Sequence, residues 1–164
     1  MLDKKMLDAL NKQMNAELYS WYLYLAMATY FESELLQGCA NWMKIQAKEE
    51  MGHAMKFFDF IGERGARADL AKIDAPKAQW KTVLEVFTET LEHEKKVTAG
   101  IHKLVDLALE LKDHATNNFL KWFVDEQVEE ESTAELIVHQ LKMAGTDGRG
   151  LFLVDRELGK REAS

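Results

Sequence analysis

Stepped alternately by three and four residues, the chain shows four long apolar seams, each interrupted near its middle by carboxylates and their polar companions. That spacing marks the stripe a helix turns toward a bundle core. The first seam reads Leu7, Leu10, Met14, Glu17, Trp21, Tyr24, Ala28, Phe31, and the second Cys39, Met43, Gln46, Glu50, His53, Phe57, Phe60. The third reads Leu84, Phe87, Leu91, Glu94, Thr98, Ile101, Val105, Ala108, and the fourth Leu120, Phe123, Gln127, Glu130, Ala134, Ile137, Leu141. A chain patterned this way has to pack helix against helix.

The periodicity predicts helices over about 3–35, 39–64, 81–111 and 113–144, with a short amphipathic helix over about 151–160. Gln37-Gly38 reads as the first turn and Lys112-Asp113 as a tight junction, while residues 66–80, with the only proline, Pro76, read as a long crossover. Two tight hairpins flanking one long connection describe an all-α antiparallel four-helix bundle, and 164 residues suit one domain. Gly145, Gly148 and Gly150 read as a flexible corner that turns the fifth helix away from the fourth. That helix is too short to stand alone, so its Leu151, Phe152, Val154 and Leu158 predict burial against neighbouring subunits.

The interruptions share one level. Antiparallel helices joined by a tight turn align residues equally far from it, and the midpoints of Glu17 with Glu50 and with His53 fall between 33 and 35. The midpoints of Glu94 with Gln127 and with Glu130 fall between 110 and 112, beside the other hairpin turn. Four glutamates, one histidine and one glutamine therefore converge inside the bundle. Buried like charges must take up protons or acquire a cation, and a carboxylate-rich set with one imidazole suits iron or manganese better than structural zinc. Four carboxylates are enough to bridge two metal ions, which together can reduce O2 or H2O2.

Tyr24, on the same stripe as Glu17, reads either as a hydrogen-bond donor to the ligands or as a packing residue. Glu49, Glu126 and Glu129 lie within one turn of a core ligand, whereas His93, His102, His114 and His139 fall off the seams and read as surface residues. A net charge of −7 argues against nucleic acid as a partner. The longest apolar stretch, 18–31, falls short of the ~20 residues that span a bilayer. The N-terminus has no apolar signal core, and a lone Cys39 forms no intrachain disulfide, so the expected location is cytoplasmic.

Three stretches carry a resemblance over essentially the whole chain: residues 10–20 (LNKQMNAELYS), 49–55 (EEMGHAM) and 118–131 (NFLKWFVDEQVEEE). They resemble the non-haem ferritins of bacteria and archaea. The resemblance implies that Glu17, Glu50 and His53 hold one iron, with Glu50 bridging to a second held by Glu94 and Glu130, and Gln127 alongside. It implies a third iron site at Glu49, Glu126, Glu129 and Glu130, and a hollow shell, usually of 24 subunits, that oxidises Fe(II) and stores Fe(III) mineral. The fifth helix is then expected to line a symmetry axis of the shell. Bacterioferritins have a second Glu-x-x-His where this chain has Gln127-x-x-Glu130, and Met51, at the place of their haem ligand, is also found in non-haem ferritins, so haem is not expected. With one imidazole fewer, the second iron should be exchangeable, a substrate rather than a fixed cofactor. A rubrerythrin-type di-iron peroxidase lacks support without Cys-x-x-Cys pairs, and a Dps-like DNA protector is disfavoured by acidity and by ligands confined to one subunit.

Overall fold

The computed structural model describes residues 2–163. Among them the chain forms α1 (Lys4–Ser33), α2 (Gln37–Glu63), α3 (Val83–Glu110), α4 (His114–Ala144) and α5 (Gly148–Leu158). The first two helices pair as one antiparallel hairpin, α3 and α4 as the other, and α1 packs on α3. Each start has a local cause. Asp3 caps α1 by accepting the Lys5 N–H, Thr82 caps α3 by accepting that of Glu85, and Asp113 caps α4 by accepting that of Thr116.

The helix α2 is capped differently, and here the structure corrects the sequence reading. Its N-cap, Leu36, offers no side-chain acceptor. Instead Asp155, from α5, accepts the Cys39 N–H at 2.8 Å, placing a carboxylate at the positive end of the helix. The turn lies at 34–36, where Leu35 takes a left-handed φ of 60°, and Gln37-Gly38 belongs to the helix. Gly38 serves close approach rather than a turn, since a Cβ there would overlap the Asp155 carbonyl.

Two further expectations at the C-terminus are corrected. Gly148 and Gly150 lie within α5, and only Gly145, with φ 61°, makes the corner. The fifth helix also does not turn away: it packs on α2 and α4 of its own chain, burying Leu158 and partly covering Leu151 and Val154. One apolar face is satisfied within the subunit. Phe152 and Leu153 remain exposed on the other.

The crossover is pinned rather than loose. Asn11 Oδ1 accepts the Asp69 N–H, Asn15 Oδ1 accepts that of Ala71, and Asn15 donates to the Asp69 carbonyl, each at 2.8 Å. The core divides into two apolar clusters. One gathers Tyr24, Phe31, Met43, Phe87 and Ile137, and the other Met14, Phe57, Ile101, Leu120 and Phe123. Between them, at mid-height on all four long helices, lies a buried polar layer.

Candidate metal centre

In that layer Glu17, Glu50, His53, Glu94, Gln127 and Glu130 are all buried. Ligand atoms of Glu17, Glu50 and His53 lie within 4.8 Å of one another, and so do those of His53, Glu126 and Glu130. His53 joins the groups: its Nδ1 is 3.4 Å from Glu50 Oε2 and its Nε2 3.9 Å from Glu126 Oε1. The rings of Trp122 and Phe123 meet the imidazole edge-on and close that side.

Electrostatically, gathering these carboxylates in a buried layer is costly. Burial first, then the charge of Glu50, pushes Glu17 well above the usual carboxylate range. Burial does the same to Glu50, reinforced by Glu94 and Glu130. Glu94 is raised by burial, with hydrogen bonds from Tyr24 and Gln127 opposing the rise. Glu130 is pushed up to about 8, by burial and then by Glu94. Glu17 Oε2 is the one buried side-chain oxygen or nitrogen without a hydrogen-bond partner among the described residues. A carboxylate oxygen left in that position requires a proton shared with a neighbour or a cation. Oxygen donors with a single imidazole fit iron, so the residues present suit the metal the resemblance implies.

Around the carboxylates stands a ring of donors. Tyr24 donates to Glu94, and burial with the nearby charges keeps its phenol neutral. Gln127 Nε2 reaches Glu94 Oε2 at 3.2 Å and Thr98 Oγ1 at 3.1 Å, so its amide nitrogen is turned toward its neighbours on α3. Gln13 donates to Glu17 Oε1 at 2.7 Å, and Gln46 to Glu130 Oε2 at 2.8 Å and Glu50 Oε1 at 3.2 Å. Sequence reasoning left both glutamines unassigned, although each precedes a core glutamate by four residues, the spacing that stacks side chains on one helix face.

Outside the layer the acidic residues differ among themselves. Glu126 is partly buried against His53, Glu49 forms an ion pair with Arg161 at 2.6 Å, and Glu129 is exposed. His102, His114 and His139 are exposed, whereas the surface reading of His93 is corrected. Its ring is half-buried between Tyr19 and Tyr24. Ser20 Oγ hydrogen-bonds His93 Nε2 at 2.8 Å and lies 3.1 Å from the Ala16 carbonyl. Burial lowers His93 to about 4, leaving it neutral. An off-seam position beside a core glutamate on α3 was sheltered by aromatic rings of α1, which periodicity cannot see.

Four antiparallel helices enclosing a carboxylate-rich layer that calls for metal define a ferritin-like bundle protein. The ferritin family model, described as a ferritin-like domain, matches residues 7–144. A bacterial non-heme ferritin of Bacteroides fragilis is 48% identical over 161 residues, covering 98% of this chain and 100% of its own length. One of Staphylococcus aureus is 44% identical over 161 residues, covering 98% and 97%. Among solved structures, the open-pore ferritin of Archaeoglobus fulgidus superposes with a TM-score of 0.97 at 50% identity, covering 99% of this chain and 100% of that one. A humanized archaeal ferritin gives 0.99 at 50% identity, covering 100% and 99%. The chain belongs to the ferritin family.

Proposed function

We propose that this ferritin carries out the work of its family, iron storage, by oxidising Fe(II) at the buried carboxylate centre and passing Fe(III) into the interior of a shell. The observation that carries the reading is the gathering of Glu17, Glu50 and His53 ligand atoms within 4.8 Å of one another, in a buried layer where burial raises the pKa of each glutamate. Incoming Fe(II) supplies the positive charge that favours the ionised carboxylates, against the burial that favours their protonated form. Glu17, Glu50 and His53 take one iron, and Glu94 and Glu130 hold the second, with Glu50 between them. Each Fe(II) yields one electron, and an adjacent pair supplies the two that reduce O2 to H2O2 or H2O2 to water.

Tyr24 and Gln127 act by holding Glu94, and Gln127 in place of a second imidazole leaves the second iron exchangeable. Glu49, Glu126 and Glu129, with Glu130, give the oxidised metal a way out of the centre. Assembly into a shell, of 24 subunits in this reading, draws on the exposed face of α5 that carries Phe152 and Leu153. No helix among the described residues is long and apolar enough to cross a membrane, and we place the protein in the cytoplasm.

Anaerobic soaking of crystals with Fe(II), or with Zn(II) as a stand-in that does not oxidise, tests the centre directly. Anomalous density is expected at Glu17, Glu50 and His53 and at Glu94 and Glu130. Its absence from both positions overturns the proposal.

A further inference from the structure

At the far end of the chain, beyond α5, Arg161 returns to the side of α2 that backs the metal centre. Its guanidinium lies 4.4 Å over the Trp42 ring, and its own carbonyl accepts from Asn41 Nδ2 at 3.1 Å. One arm, Nη1, donates to Gln46 Oε1 at 2.9 Å; the other, Nη2, donates to Glu49 Oε2 at 2.6 Å. Gln46 is 1% exposed, and its amide nitrogen donates to Glu130 and Glu50. We propose that Arg161 is a positioning residue for the metal centre, acting through Gln46.

The argument turns on the two ends of an amide. A glutamine presents one acceptor oxygen and one donor nitrogen, and buried between a guanidinium and two carboxylates it has a single favourable orientation. Arginine carries donors only and stays charged, so it fixes the oxygen outward and thereby the nitrogen inward. Flipped, the amide would set its N–H groups against Arg161 and its oxygen against Glu50 and Glu130, which are ionised when they hold metal. With the orientation locked, one side chain ties a carboxylate of α2 to a carboxylate of α4. Docking of α5, through Leu158 and the Asp155 cap, delivers Arg161 to its place. A residue 115 positions from Gln46 thus orders the partners of the ligands.

The inference rests on the reading that Glu50 and Glu130 hold metal, and it is separable from a plain ion pair between Arg161 and Glu49. Were Arg161 only a nearby positive charge, removing it would favour a bound cation. A positioning role gives the opposite sign. The full-length protein, R161Q, Q46L and the R161Q/Q46L double variant are titrated anaerobically with Zn(II) in a calorimeter. R161K, which keeps the cation but lacks the planar fork, is included so that the test survives if R161Q does not fold. Particle mass is checked for each.

Loss of a group that orients a metal ligand weakens affinity by about 10–100-fold, and that range is expected for R161Q and Q46L. R161K is expected to weaken binding as well, and the double variant to be no weaker than Q46L alone. Unchanged or tighter binding in R161Q or R161K overturns the inference, as does a double variant whose losses add. A wild-type protein that takes up no Zn(II) at Glu50 and Glu130 fails at the earlier step: it overturns the metal-centre reading, and the Zn(II)-soaked wild-type crystal, which locates the ion, detects it.

Discussion

Replacing Glu130 with Gln should make the metal-free protein more stable, with a gain that grows with pH. Glu130 is pushed from 4.5 up to about 8, so the folded state holds its proton more tightly than the unfolded chain does. The contribution of this one group is therefore fully present below about pH 4.5, is lost as the pH rises toward about 8 and levels off beyond it. For one such proton the slope is about 1.4 kcal/mol per pH unit, which reaches about 3 kcal/mol at pH 7. The amide of Glu130→Gln has nearly the shape of a protonated carboxyl and can still accept from Gln46 Nε2 through its oxygen. It carries no proton to lose. After chelation, the variant should melt roughly 6–12 °C above the wild type at pH 7, from about 2–4 °C per kcal/mol for a chain of this size, and close to it near pH 4.5. Scanning calorimetry between pH 4.5 and 8 reads this. Added Zn(II) should raise the wild-type melting temperature far more than that of the variant, because only the wild type gains a ligand charge. Parallel pH curves for the two metal-free proteins, or a variant less stable at pH 7, would refute the claim that burial favours the protonated form of Glu130.

Removal of the imidazole in His53→Ala should slow initial Fe(II) oxidation by at least about tenfold, with the particle intact; stopped-flow absorbance is the measurement, and an unchanged rate contradicts the ligand role. The triple replacement of Glu49, Glu126 and Glu129 by Gln should spare the first two Fe(II) per subunit and alter later additions, and identical kinetics at every loading count against a route for Fe(III). In Gly100→Ala a new Cβ would lie 2.6 Å from Gln13 Oε1. Helix propensity should stabilise this variant by up to about 1 kcal/mol, while the displaced Gln13 weakens Zn(II) binding several-fold, a split that melting and calorimetric titration resolve together. For Gly38→Ala, overlap with the Asp155 carbonyl should outweigh the contribution of α5 docking, about 3 kcal/mol from Leu158 burial and one capping bond. The helix should undock and the particle lose mass by light scattering; a particle of the same mass with protease-resistant α5 would count against this.

The bundle and the level of its polar layer were legible in the sequence, because both follow from counting. A helix repeats every 3.6 residues and rises about 1.5 Å per residue, so Glu17, Glu50, Glu94 and Glu130 declare their face and height as soon as the turns are located. A shift of the first turn from 37–38 to 34–36 moves that height by only about a turn of helix. Periodicity reports, however, only how a helix is patterned along itself. It could not show that Gly38 is small because α5 lies across it, that Asp155 caps α2 from the end of the chain, or that His93 shelters between Tyr19 and Tyr24. Nor could it bring Arg161 to Gln46. Those contacts join residues far apart in sequence with no repeating register to mark them. They depend on where one helix end meets another, which packing decides once the chain has folded.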